Sequence, residues 1–370
     1  MATPSDDKKY SSIHYNSYLQ LDKLLDAQSL RSVEVGDKPA HDEMLFIITH
    51  QVYELWFKQI NYELKAILKD FNADRVNEKN IGIAVSGIHR IVEILKVLIQ
   101  QIGVLETMTP LDFLDFRNYL FPASGFQSFQ FREFEVLLGL KEEKRHTYNN
   151  KPYHVVFDDQ KKHILEELEH NVSLFEAVEA WLERTPFLNF SDFDFLVYYK
   201  KALDSMLLRE KQAIEQTDVL SQEFKEMRLR MLGDTKTYFA TILDESHHNN
   251  LIKEGKIHLS YKATVAALFI SLYRDEPILH LPFKLLSSLV EMDDHITTWR
   301  YRHAQMVMRM LGKKVGTGGS SGHEYLSETA SRHHIYRDLH NVSTLLIPRS
   351  DLPELPAELR NRLGFVYSMS

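Results

Sequence analysis

Apolar positions recur every three or four residues along most of this chain, and no stretch keeps the two-residue alternation of a half-buried strand. The pattern predicts an all-α fold. Residues 1–9 are polar and read as disordered. Tyr10, His14, Tyr15 and Tyr18 then lead into an amphipathic run through Leu19, Leu21, Leu24 and Leu25, read as a helix packing on its own core, with an aromatic arm reaching a neighbouring subunit as the alternative. After a polar connection from Ser32 to His41, Asp42 opens a long helix whose acidic first turn suits the helix dipole. Leu45, Ile48, Val52, Leu55 and Gln59 form one stripe along it, and Phe46, His50, Tyr53 and Phe57 a second. Two stripes predict burial on more than one side.

Ile83 to Met108 carries Ile88, Ile91, Leu95, Leu98 and Ile102 at helical spacing. Thr109, Pro110 and Asp112 then form a strong helix start, with a capping hydroxyl, a proline at the first helical position and an acid three residues after the cap. The helix that follows places Phe113, Phe116, Arg117 and Leu120 on one side. Pro122 to Gln127 reads as a loop of small residues, and Ser128 caps another helix. Further helical runs cover 160–184, Asp192 to about Met231, about 234–245, and 261–274. Pro277 and Pro282 punctuate the chain, and a helix beginning near Pro282 runs to the stop at Leu311-Gly312. It puts Trp299, His303, Val307 and Met310 on one inward stripe. Gly316 to Gly322 is glycine- and serine-rich, and the later IPRSDLPELPAEL tail is read as lying over the surface.

Composition removes several classes of function. With 370 residues and 44% of them hydrophobic, the chain is long enough to bury a full core, as one large domain or two smaller ones. A net charge of −8 without a sustained basic run argues against nucleic acid, and the longest apolar run, near Thr264 to Tyr273, is too short for a membrane span. The amino terminus lacks a signal-peptide core, so the expected location is cytoplasmic. No cysteine is present, which leaves His, Asp, Glu, Tyr or Met as the protein ligands for any metal. His247 and His248 point to different sides of a helix and are read as surface residues.

The interior candidates are therefore His50 and His303 on aromatic helices, Arg117 on a third, and the two small-residue loops. A buried imidazole can be satisfied by a carbonyl, a carboxylate or a metal. Arg117 either snorkels outward or meets an anion. Such an inventory suits a haem, which asks one imidazole of its protein, and it suits a plain helical scaffold equally well.

Three long motifs change that balance. FIITHQVYELWFKQI (46–60), LDFLDFRNYLFPASGFQSFQFREFE (111–135) and WRYRHAQMVMRMLGKKVGTGGSSG (299–322) closely resemble those of the tryptophan 2,3-dioxygenases, and the likeness runs from about Tyr10 into the tail. The resemblance implies an all-α homotetramer with one b-type haem per subunit, in which dioxygen opens the pyrrole ring of L-tryptophan to N-formyl-L-kynurenine. His303 matches the axial iron ligand, with Trp299 beside it against the haem. His50 matches the distal histidine that accepts the indole N–H. Phe46 and Phe113 match residues walling the indole, and Arg117 matches the partner of the substrate carboxylate. Thr317 matches the contact to the amino-acid end. Ser124 and Gly125 match the loop beside substrate and haem propionates. Tyr15 and Tyr18 match residues that a neighbouring subunit lends, which makes 10–26 an arm. A relative that has lost its haem and serves as a scaffold, and a broader indoleamine dioxygenase, are the alternatives.

Overall fold

The computed structural model describes residues 12–36, 38–71, 76–142, 145, 152–312, 314 and 323–365. Among them the fold is helical, and the β pairing is one two-residue antiparallel hairpin, Asn189–Phe190 against Phe193–Asp194. The stretch expected to be disordered, 1–9, lies outside the described residues.

Three short helices come first: α1 (Tyr15–Leu19), α2 (Leu21–Leu25) and α3 (Arg31–Val35). Neither α1 nor α2 has a buried residue, and Tyr15 and Tyr18 are 72% and 69% exposed, so this run does not pack on a core of its own. Five residues make barely more than one turn, too few to form a continuous apolar face. α4 (Glu43–Phe71) follows, its start tied to α3 because the buried Glu43 carboxylate accepts the backbone N–H groups of Arg31 and Ser32. Its two stripes separate. Tyr53 and Phe57 are buried, whereas Ile48 and Leu55 stay exposed, so burial on both sides is not what this chain does.

α5 (Glu78–Leu105) starts five residues before Ile83, because the Asn77 side chain caps it by accepting the Asn80 N–H. α6 (Pro110–Arg117) has the expected capping box between Thr109 and Asp112. α7 (Phe129–Leu138) is capped by Ser128, as read from the sequence, and ends at Gly139 with φ +119°. A Cβ on Gly139 would sit 2.8 Å from Cβ of Phe175. Gly139→Ala is therefore expected to cost about 1–3 kcal/mol from strained backbone and crowding together, read as a lower urea midpoint. An unchanged midpoint would contradict that account.

The run 160–184 divides into α8 (Asp159–His170) and α9 (Leu174–Glu183), because Ser173 and Glu176 form a second capping box. The helix expected from Asp192 to about Met231 also breaks. α10 (Phe195–Gln216) ends at Thr217 in extended backbone, and Ser221 caps α11 (Gln222–Ile242), which absorbs most of the segment 234–245. α12 (Glu245–Lys253) holds His248, which is 1% exposed with its two ring nitrogens 3.1 and 2.9 Å from the carbonyls of Ile242 and Leu259. His248 is thus no surface residue. Its neighbour His247 does lie outward.

α13 (Tyr261–Leu272) is almost wholly buried. α14 (Pro277–Leu311) starts at Pro277 and carries Pro282 inside it, giving up one intrahelical bond without a break. α15 (His323–Arg332), α16 (Arg337–Asn341) and α17 (Ala357–Leu363) finish the chain. The tail does not lie over the surface. Ile347, Leu355, Leu359 and Leu363 join the core, and the Tyr273 hydroxyl donates to the carbonyl of Pro353 at 2.8 Å. No described helix is long and apolar enough to cross a membrane.

One feature of the packing makes room for a ligand. α4 and α14 both pack along α5, α7 packs on α4, and α6 and α15 pack on α14. The shared neighbour holds α4 and α14 apart, and the gap between them is a cavity.

Candidate active site

The cavity has a volume of about 300 Å³, at the lower bound of ordinary small-ligand sites. The lower part of α5 lines it with Ile102 and Leu105, and α4 contributes Phe46, His50, Tyr53 and Phe57. α14 contributes Trp299, His303, Val307 and Met310, the stripe read from its spacing. Phe113 and Arg117 from α6, with Ser124 and Gly125 from the following loop, complete the expected set. Eight of the candidate residues therefore meet in one place. Arg117 faces this cavity and not open solvent. Tyr15 and Tyr18 are not among its lining residues in this chain, and Thr317 with the rest of Gly316 to Gly322 lies outside the described residues.

The walls are aromatic and mutually braced. Phe46 lies 5.8 Å from Phe113, and Phe113 stands edge-on to Phe116 at 5.4 Å. Deeper in, Phe131 lies 5.2 Å from both Phe57 and Trp299. Trp299 stacks on the His303 ring at 5.4 Å and 17°, fixing the plane of that imidazole. Edge and offset contacts of this kind hold rings in register without filling the space between them.

Ser124 shapes the loop over one end. Its hydroxyl accepts the Phe126 N–H and its own N–H meets Gln127 Oε1, which winds Gly125–Gln127 into one tight turn.

The histidines differ in their hydrogen bonding. Nδ1 of His50 lies 2.7 Å from the carbonyl of Phe46, and a carbonyl can only accept, so Nδ1 carries the proton. The Nε2 lone pair is left as an acceptor. Burial lowers the His50 pKa, opposed in part by that same hydrogen bond, so the ring is neutral near pH 7. Burial lowers His303 further, to about 4, with the nearby His50 adding to the effect. No described residue hydrogen-bonds His303. It offers a neutral imidazole with a lone pair to whatever the cavity holds.

A pH profile follows from the tautomer of His50. Protonation converts Nε2 from acceptor to donor, and the folded pKa lies below the ordinary 6.5, so the acceptor persists through neutrality and is lost only as pH falls below that value. The acid limb of kcat/KM is expected below pH 6.5, and His50→Gln should flatten it. An acid limb that stays in place in that variant would remove His50 from the assignment.

Several lining residues were not anticipated from the sequence. Glu54 sits one turn beyond His50, and burial raises its carboxyl pKa, partly offset by a hydrogen bond to Ser128. Arg132 and Glu135 from α7 line the same space, as do Arg300, Tyr325 and His333. Glu135 accepts from Arg300 Nη2 at 2.6 Å and Arg132 Nη1 at 2.7 Å. Burial would push this carboxyl up, but Arg145, Arg132 and Arg300 together hold it well below the usual range. The spacing in FREFE puts Arg132 and Glu135 three residues apart on one helix, which was the available signal, yet nothing local says that Arg300 joins them.

An α-helical shell around an aromatic chamber, with one imidazole supplied by each of two helices and an arginine in its lining, defines the class: a helical small-ligand-binding protein whose chain supplies few but well-placed polar groups. The sequence of the whole chain narrows this. A profile described as tryptophan 2,3-dioxygenase matches residues 1–346. Curated proteins named tryptophan 2,3-dioxygenase align over nearly the whole length. That of Alteromonas mediterranea is 48% identical over 97% of this chain and 99% of its own. That of Bdellovibrio bacteriovorus is 48% identical over 97% of this chain and 100% of its own, and that of Dictyostelium discoideum 45% over 96% and 89%. The chain belongs to the tryptophan 2,3-dioxygenase family.

Proposed function

We propose that this dioxygenase opens the pyrrole ring of L-tryptophan with O2 to give N-formyl-L-kynurenine, using one b-type haem per subunit of a cytoplasmic homotetramer. The observation that carries the reading is the meeting of His50 and His303, both neutral, in one aromatic cavity that Arg117 also lines. The donor set fits a haem. No three His, Asp or Glu side chains converge among the described residues, so these residues offer no cage for a bare ion. A porphyrin brings its own four nitrogens and needs a single imidazole, which His303, its ring plane held by Trp299, would supply. When bound, the haem supplies the iron that activates dioxygen.

The chain's own residues position, desolvate and hydrogen-bond. Phe46 and Phe113, packed on each other with ring centroids 5.8 Å apart, form an apolar wall against which an indole can lie. Nε2 of His50 accepts the indole N–H, which fixes the ring and favours electron density on its carbons. It holds no obligatory proton. Arg117 meets the substrate carboxylate with two parallel donors, and Ser124 and Gly125 close the loop beside it. Thr317 is assigned to the amino-acid end of the substrate. Tyr15 and Tyr18, open on α1, are assigned to the cavity of a neighbouring subunit, which makes residues 10–26 an arm of a single catalytic domain over 10–370.

The test is to purify the protein with haem supplied, record its reduced spectrum, and assay L-tryptophan under isotopically labelled dioxygen. A haem band together with two labelled oxygen atoms in the product is expected. A folded protein that takes up no haem, or a product carrying one labelled atom, would overturn the reading.

A further inference from the structure

One acid in the cavity wall has no part in the reading so far. Glu54 follows His50 by one turn of α4, so the two side chains share a helix face, and both line the cavity. A carboxyl among aromatic rings is costly unless it is partnered, and burial raises the pKa of this one. No cation stands against it among the described residues. Its partner is Ser128, at the start of α7, whose hydroxyl donates to the carboxylate and offsets part of the cost of burial.

Ser128 joins two pieces of structure. Its oxygen accepts the Phe131 N–H at 3.2 Å and so starts α7, while its own N–H donates to the Gly125 carbonyl at 3.1 Å and closes the turn Gly125–Gln127. The bonds within that turn, including Gln127 N–H to the Ser124 carbonyl at 3.0 Å, fix its shape and not its place. Its place is set by what holds Ser128. Asn61 fastens α4 to α7 two turns further along, by donating to the Gln130 carbonyl at 3.0 Å, so the Glu54 bond is the link at the loop end. Resting on the tryptophan reading above, we propose that Glu54 is a positioning residue: its carboxylate holds Ser128, and through it the loop of Ser124 and Gly125, at a fixed distance from His50. Under that reading α4 sets the indole end of the substrate and the loop borders its amino-acid end. One link between them lets both ends of a single molecule be gripped at once. A slack link costs only a substrate that needs both ends, and so it erodes the preference for the L-isomer, whose amino-acid end is the one that fits.

The experiment measures kcat and KM for L- and D-tryptophan, with haem uptake and the reduced spectrum recorded on the same samples. Glu54→Ala should raise KM for L-tryptophan about 10-fold, the scale of one hydrogen bond to a charged group, with kcat nearly unchanged and the L-over-D preference reduced by a similar factor. Haem uptake and spectrum should match wild type. Glu54→Gln, whose amide oxygen still accepts the Ser128 hydroxyl, should recover most of the loss, and it covers the case in which the alanine variant does not fold. Ser128→Ala should lower the L-over-D preference as Glu54→Ala does, and the double variant should lower it no further than either alone. If Glu54 served only to stabilise α4, both isomers would suffer alike, and the proposal would fall. Additive losses in the double variant, or a glutamine variant no better than alanine, would overturn it too, and each would leave the haem reading standing. A wild type that takes up no haem would overturn that reading and this inference with it.

Discussion

His303→Ala is expected to give a folded protein whose haem band is lost or altered and whose turnover drops to background, by at least about 100-fold. The magnitude is set against outer-shell partners of a ligand, whose loss costs about 10- to 100-fold; removing the ligand itself should exceed that. The physical case rests on three properties of this imidazole. Burial keeps it neutral, with a pKa near 4, so its lone pair is available at every working pH. Trp299 stacks on it at 17° and fixes its plane. It has no hydrogen-bond partner among the described residues that would compete for that lone pair. Alanine removes all of this and leaves a space the size of an imidazole, so free imidazole in the buffer should restore part of the band. A variant with the wild-type spectrum and wild-type turnover would show that His303 is only a core residue.

Arg117→Ala is expected to lower kcat/KM for L-tryptophan by roughly 2–4 kcal/mol, about 30- to 1,000-fold, because a buried substrate carboxylate loses its charged partner. Tryptamine separates this from general damage. It lacks the carboxylate, so its kcat/KM should be low in wild type and unchanged by the substitution. Arg117→Lys should recover only part of the loss, since an ammonium cannot reproduce two parallel donors in one plane. Equal losses for tryptophan and tryptamine would mean that Arg117 holds α6 and its loop in place and does not meet substrate charge. The position favours the substrate role: Arg117 ends an α6 whose start is locked by the Thr109–Asp112 capping box.

Much of the site was legible because its determinants are local. Thr109 and Ser128 are each followed three residues later by the N–H they accept, so a helix start is written within four residues. The stripe from Trp299 to Met310 needs only the helical period. The errors have one origin. Asp192 to Met231 reads as continuous helix because propensity is a weak prior, and the extended Thr217 is set by how α10 and α11 pack back on each other. His248 reads as one of two surface histidines, but its ring fills a gap between two carbonyls, one of them 11 residues further along. Leu355, Leu359 and Leu363 sit in a segment whose prolines suggest a surface tail, and their burial depends on α14 lying beneath them.

The sequence alone determined that this chain is helical, where helices such as α4, α6 and α7 start, that Trp299, His303, Val307 and Met310 share one stripe, and which family it resembles. Those properties depend on neighbours within one or two turns or on motifs contiguous in the chain. Tertiary structure decided the rest. It set α4 and α14 apart across α5, so that an apolar interior became a cavity and not a solid core. It turned Arg117 toward the cavity, and it brought Arg300 to Glu135 across 165 residues of sequence. Burial and charge compensation are sums over every group within a few ångströms, and that neighbourhood exists only after the helices have packed.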